Sequence, residues 1–496
     1  MQVPSVGIAA PSREGGGQDI LRTSFDAGET PMLKPLLASL LTCSVALPAL
    51  AATPDANQAQ ARDIFSHLIA FKTEIGQGQV PVMANYLAGL FRAAGFPDSD
   101  IHIIPHGETA AMVVRYRGNG TGGKPIALMA HMDVVTAKPE DWQRDPFKLI
   151  EENGYFYGRG TEDIKSGVTV LAANFIQLKK AGFVPTRDLI IVYTGDEETS
   201  QDTMDDLVKN HRDLVDAEFA LNTDAGGGEL GDDGKPLVFG LQTAEKAYAD
   251  FELTARNPGG HSSLPRADNA IYELADALKK VQAYAFPVMW NDTTLASFKA
   301  LGATTPGKLG QAMRDFANDP RDANAAAVLA AEPSEVGKTR TTCVATMLRG
   351  GHADNALPQS ATANINCRIF PGVSIETVRK TLEDQVGTKV EVKVIGKAIS
   401  ADASPLRPDV VAAVTKAVHA IRPGVAITPE QESGATDGIY FRAAGIPAYG
   451  VNGMFMKTSD SFAHGLNERV PVKSFYDDVT YWHVLLTALA GPDTGK

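Results

Sequence analysis

Apolar residues change their spacing several times along this chain, and the changes mark its elements. ARDIFSHLIAFKT (61–73) and VPVMANYLAGLFRAAGF (80–96) carry apolar residues three and four apart, which predicts helices. IHIIP (101–105), AAMVVRYRG (110–118) and PIALMAHMD (125–133) are short, apolar runs and predict strands. A helix over 167–183 precedes the strand DLIIVYTGDEE (188–198), and a further helical stretch leads to AEFALNTDAG (217–226). Strands this apolar, alternating with helices, predict an α/β sheet covered on both faces.

The pattern changes near residue 245. KAYADFELTAR predicts a strand and NAIYELADALKKVQAYA a helix. TTCVATMLRGG and SATANINCRIF predict two strands around a turn holding Asn355 and Pro358. SIETVRKTLEDQV then predicts a helix and KVEVKVIGKAI a last strand. This βαββαβ order is ferredoxin-like. An Ala- and Asp-rich helical stretch, 288–335, interrupts it as an insertion. Residues 245–399 therefore read as a domain inserted into a catalytic domain made of 52–244 and 400–496, where α/β character resumes with the helix PDVVAAVTKAVHAI.

MLKPLLASLLTCSVALPALAA, from Met32, has one lysine, an apolar run and an A-x-A site at Ala49–Ala51. That is the layout of a secretory signal, and the run is too short for the ~20 residues of a spanning helix. We expect cleavage after residue 51, translation starting at Met32 with residues 1–31 a non-native extension, and a periplasmic or secreted protein. Two cysteines follow the expected cleavage point, Cys343 and Cys367. They lie symmetrically about the turn near residue 355, which leaves two buried thiols or a cross-strand disulfide open.

The 496 residues are ample for two domains, and the composition is that of a globular protein. The formal net charge of −13 argues against nucleic acid and anionic membrane as partners.

Candidate chemistry gathers where strands are predicted to end, which is where open α/β sheets place their sites. His131 and Asp133 close AHMDVV. Asp163 sits in the Gly-rich YGRGTEDIKSGV, Glu197 and Glu198 in TGDEETS, Asp224 in NTDAG and His464 in SFAHGLNE. Singly, each has an ordinary explanation, such as a turn or a helix N-cap. Together, two histidines and three carboxylates without thiolate suit zinc in open sites, and five ligands exceed one such ion but fit two sharing a carboxylate.

These motifs, with GGHSSLP, NINCRIFPG and TDGIYFRAAGIP, resemble the co-catalytic zinc metallopeptidase family of aminoacylase, acetylornithine deacetylase, succinyl-diaminopimelate desuccinylase, carboxypeptidase G and carnosine-type dipeptidases. The resemblance spans about residues 55–485 in the family's order. It implies two Zn²⁺ per chain, with Co²⁺ or Mn²⁺ as substitutes. Asp163 would bridge them, His131 and Asp224 completing one site and Glu198 and His464 the other. It implies a cis peptide after Asp163, Asp133 orienting His131, and Glu197 as general base toward a metal-bridging water. His261 of the inserted domain would stabilise the oxyanion, often from the partner subunit of a homodimer. Arg368, Asn355 and Gly434 would hold a substrate carboxylate.

Asp at position 224 resembles the dipeptidase and carboxypeptidase branches, which favours an exopeptidase over an N-acyl-amino-acid deacylase. A non-catalytic binding protein on the same fold would be expected to lose ligands or the base, and all are present.

Overall fold

Leu189, Ile191 and Tyr193 pack into one apolar cluster, and Ile190 and Val192 into another. The strand Leu189–Thr194 is thus buried on both sides, as its unbroken apolar sequence requires. In the computed structural model, which describes residues 56–492, it runs parallel to Ile126–His131 and antiparallel to Thr109–Tyr116. Phe219–Asn222 and then Ala448–Gly450 continue the parallel run. Beyond them Pro236–Glu245 carries the mixed sheet on to ten strands among the described residues. The expected extension 1–31, the signal segment 32–51 and Cys43 lie outside those residues.

Helices Ala56–Ala70, Val80–Ala93, Lys165–Lys180, Pro408–Ile421 and Val472–Ala490 supply Phe65, Phe91, Phe175, Val414 and Trp482 to one face of this sheet. Met204, Leu207, Val215 and Phe441 cover the other face. At Gly167, helix Lys165–Lys180 packs tightly against Thr223. A Cβ there would lie 2.2 Å from Thr223 Oγ1, so only glycine lets the helix seat beside Asp224.

The chain leaves this sheet at Glu245 and enters the inserted, ferredoxin-like domain. Strands Ala247–Arg256, Thr342–Gly350, Ser360–Ile369 and Val390–Ile395 form an antiparallel sheet, with helices Ala270–Ala283 and Ile375–Val386 packed against it. In spatial order the strands run second, third, first, fourth. Cys343 and Cys367 face each other in register and form a disulfide, with Cα atoms 4.1 Å apart. The alternative that sequence left open is thereby decided. The 288–335 stretch forms helices between Asp292 and Val336 around its own small core of Phe298, Met313, Phe316 and Leu329.

Both connections to the inserted domain share one buried anchor. Glu245, on the outgoing chain, accepts the backbone amide of Thr436 at 2.7 Å and pairs with Arg442. Arg442 Nε donates to Ser404 Oγ at 3.1 Å on the returning chain, and Ser404 N donates to Thr243 O at 2.8 Å.

Candidate active site

The carboxyl ends of the parallel strands meet at one edge of the sheet. His131 ends Ile126–His131, pairing in register with Thr194, just before Glu197 and Glu198. Asp224 follows Phe219–Asn222 by two residues. Asp163 lies in the turn before helix Lys165–Lys180, and its peptide bond to Ile164 is cis. His464 comes from a distant loop, in the left-handed backbone region at φ 62°.

Their side chains converge. His131 Nε2 lies 3.0 Å from Asp163 Oδ1 and 3.8 Å from Asp224 Oδ1. His464 Nε2 lies 3.0 Å from Asp163 Oδ2 and 2.9 Å from Glu198 Oε2. Asp163 therefore turns one oxygen to each imidazole. Two sets of donor atoms, His131–Asp163–Glu198 and His131–Glu197–Asp224, each fall within 4.8 Å, close enough to hold a cation.

Asp133 supports the acidic loop as well as the histidine. Its carboxylate accepts the backbone amides of Glu197 at 3.1 Å and Glu198 at 3.0 Å, and its Oδ1 lies 3.4 Å from His131 Nδ1. Asp196, which sequence left without a role, accepts from Ser200 Oγ and from the amides of Asp202 and Thr203. It folds the loop back onto the start of helix Asp202–Asn210. This explains three successive acids: the first builds the turn, and the next two are presented by it.

No lysine or arginine among the described residues makes an ion pair with Asp163, Glu197, Glu198 or Asp224. The protonation of the cluster reflects that excess of negative charge. Burial opposes a charged His131, but Asp224, Asp133 and Asp163 outweigh it and hold its pKa well above the ordinary value. Hydrogen bonds to Asp163 and Glu198 push His464 up to about 10. Burial pushes Asp224 up to about 6 and Glu197 well above the usual carboxylate range. Close-packed carboxylates with only two imidazoles between them are the donor set that divalent cations satisfy.

A cavity of about 790 Å³ opens beside the cluster, lined by Glu197, Glu198 and His464 on one side and by Tyr248, Arg368 and Gly434 on another. The Arg368 guanidinium stacks 4.8 Å from the centre of the Tyr248 ring. The remaining candidates are elsewhere in the single chain. His261 is exposed, on the two-residue strand Gly260–His261 that pairs with Ala356–Leu357, and its Nδ1 meets Ser263 Oγ at 2.8 Å. Asn355 neighbours it, its carbonyl accepting from Ser262 N at 3.0 Å.

Four further residues shape the site without having been singled out from sequence. Glu468, fully buried, pairs with Arg159 and accepts the amides of Glu162 at 2.7 Å and Asp163 at 3.2 Å. Burial pushes its pKa up to about 7. Glu162 accepts from Ser461 Oγ at 2.7 Å and Phe462 N at 2.6 Å, so the two glutamates bind the His464 loop to the Asp163 turn. Gln201 and Tyr440 complete the cavity wall near Glu197. The available signal was position: Glu162 and Glu468 each lie within a motif already chosen for its neighbour.

Comparison with known proteins places the chain among peptidases. Peptidase family M20/M25/M40 matches residues 127–488. N-fatty-acyl-amino acid synthase/hydrolase PM20D1 of Xenopus tropicalis is 28% identical over 361 residues, covering 70% of this chain and 69% of that protein. Probable carboxypeptidase S-like 2 of Dictyostelium discoideum is 26% identical over 403 residues, covering 76% and 74%. The M20 family metallo-carboxypeptidase Sso-CP2 of Sulfolobus solfataricus shares the fold. It has a TM-score of 0.66 at 18% identity, over 87% of this chain and 99% of that one.

Proposed function

The chain belongs to peptidase family M20/M25/M40, and from that premise we propose that it is a metal-dependent exopeptidase of carboxypeptidase type. It cleaves the amide bond that joins an acyl group to an amino acid with a free carboxylate. The observation that carries this reading is one cavity lined both by the Arg368 guanidinium and by the Glu197–Glu198–His464 group.

Two zinc ions held by His131, Asp163 and Asp224 and by Asp163, Glu198 and His464 would polarise the scissile carbonyl and acidify the attacking water. The chain's own residues do the rest. Arg368 takes the substrate carboxylate in its planar fork, with the backbone at Gly434 beside it. That fixes the amide in front of Glu197. Glu197 accepts the proton of the attacking water and passes it to the leaving amine. Asp133 keeps Glu197 and Glu198 in register through their amides. His261 would reach the oxyanion from a second copy of the chain, with Asn355 beside it.

The lining of the cavity supports blocked substrates over free dipeptides. Its wall includes Ile395, Ile399, Ile439 and Tyr440. Its two other acids are already engaged, Asp250 by Tyr248, Asn364 and Asn366, and Asp202 by Lys397. Neither is left to receive an α-ammonium group. The same wall favours the second reading, an N-acyl-amino-acid hydrolase, in line with the name of the Xenopus relative.

The test is a panel of N-blocked dipeptides, N-acyl amino acids with apolar acyl chains, free dipeptides and the C-terminal amide of each, assayed with zinc, manganese and cobalt. Amides should resist cleavage, and Arg368→Gln should raise KM for free carboxylates about 30–100-fold. Equal cleavage of acids and amides sinks the proposal. N-acyl amino acids outrunning blocked dipeptides favours the second reading.

Export and dimerisation extend the proposal. Cleavage after residue 51 would release a periplasmic or secreted enzyme, checked by N-terminal sequencing. The inserted domain ends in an edge strand, Thr342–Gly350, with Val344, Met347 and Leu348 exposed. An apolar edge of this kind invites pairing with a second copy, which sedimentation would report.

A further inference from the structure

Gln201 adopts a backbone conformation that its side chain does not favour. Its φ is +53° and ψ +25°, the left-handed region where glycine and asparagine are at home and a straight-chain residue is not. It occupies the N-cap of helix Asp202–Asn210, yet its side chain makes no capping bond. Asp196 caps that helix instead, and Gln201 N donates to Asp196 O at 2.8 Å. The turn therefore has no need of the glutamine side chain, and a glycine would fit the backbone better.

The side chain is committed elsewhere. Gln201 Nε2 donates to Glu197 Oε1 at 3.1 Å, and Gln201 Oε1 accepts from the Tyr440 hydroxyl at 3.3 Å. Tyr440 is itself buried, on the short helix Gly438–Ala443. The Tyr440 hydroxyl donates to one end of the amide, which leaves its Nε2 to donate to Glu197, the orientation that a carboxylate acting as a base requires. All three residues line the substrate cavity.

We infer that Gln201, held by Tyr440, is a positioning residue that fixes the carboxylate of the general base Glu197 in the rotamer that meets the attacking water. The inference rests on the assignment of Glu197 as base. A neutral amide is well suited to this task. It restrains one oxygen directionally, leaving the other for proton transfer, without the positive charge that would quench the carboxylate's basicity. The side chain thus gives a reason for tolerating an unfavourable backbone position four residues after the base.

The experiment compares Gln201→Met, Gln201→Gly, Tyr440→Phe and Glu197→Gln in the metal-loaded enzyme, reading kcat and KM separately, metal content and melting temperature. Gln201→Met and Gln201→Gly should each lower kcat about 10–100-fold, the scale set by loss of reactive geometry, with KM and metal content unchanged. Gln201→Gly should melt at or above the wild-type temperature, because it relaxes the backbone. Tyr440→Phe should lower kcat less, and add nothing in the Gln201→Met background, since both act through one chain of hydrogen bonds. A crystal structure of Gln201→Met should show the Glu197 carboxylate in more than one rotamer. Wild-type kcat in Gln201→Gly overturns the inference, because the residue then serves only the turn. Wild-type kcat in Glu197→Gln overturns the base assignment beneath it, a separate failure.

Discussion

Asp163 and His464 meet at 3.0 Å although one lies in a turn in the first half of the chain and the other sits on a loop near its end. Nothing but folding brings them together, and the contact joins the two halves of the site. His464→Ala should lower bound metal from about two ions per chain to about one, because it leaves Glu198 and one oxygen of Asp163 without their nitrogen partner. Activity should fall by more than about 10²-fold, as measured by elemental analysis alongside turnover. Chelation should abolish turnover and lower the melting temperature, since four carboxylates then repel one another. Full activity after exhaustive chelation contradicts the metal reading.

Packing near Asp224 is tested by two glycines. Gly167→Ala drives a methyl group into Thr223 and should cost about 1–3 kcal/mol in urea unfolding. Gly89→Ala lies on an exposed helix position with nothing within 4 Å, and should stabilise by about 0.5–1 kcal/mol. Equal effects at the two sites contradict the close approach of helix Lys165–Lys180 to the residue before Asp224.

A pH effect on stability should come from Glu430, remote from the metal candidates on strand Ile427–Glu432. Burial, reinforced by the Glu432 charge, pushes its pKa from the ordinary 4.5 up to about 7. The folded chain therefore holds this proton more tightly than the unfolded one. Its contribution is full below pH 4.5 and is lost as the pH rises through about 7. Glu430→Gln should melt about 2–4 °C higher than wild type near pH 8.5, and equally near pH 4. A gain confined to low pH reverses the sign and rules the explanation out.

The Cys343–Cys367 bond closes a loop within the inserted domain. Replacing both cysteines by serine should cost roughly 3 kcal/mol on the loop-entropy estimate. Thiol titration of the denatured, unreduced, processed protein should find no free thiol. Two free thiols would place the protein in a reducing compartment and count against export.

Much of the side-chain cluster could be read from the chain because its members follow signals of their own kind. His131, Glu198 and Asp224 end apolar strands, and a charged residue in that place is conspicuous. The strand Ile427–Glu432 was not legible: its sequence ITPEQE has no apolar alternation and a single aliphatic residue, Ile427, and its pairing with Pro236–Glu245 sets it. Nor was Gln201, whose left-handed backbone leaves no mark on composition. Asp196 and Glu468 look like any other acid in a polar loop, and their importance lies in which amides they receive. The disulfide needed strand register, which the turn near residue 355 only suggested.

The shared anchor of Glu245, Arg442 and Ser404 ties both connections of the inserted domain at one point, so any rotation of that domain would turn about it as a lever turns about its fulcrum. Its first strand, Ala247–Arg256, starts at that fulcrum and extends about 30 Å at roughly 3.3 Å per residue. Arg368 pairs with Tyr248 near the fixed end, whereas His261 follows the free end. Each degree of rotation about the anchor would move the tip about half an ångström and the guanidinium hardly at all. A rotation of that kind would leave the Arg368 guanidinium nearly still while it swept the His261 imidazole through space.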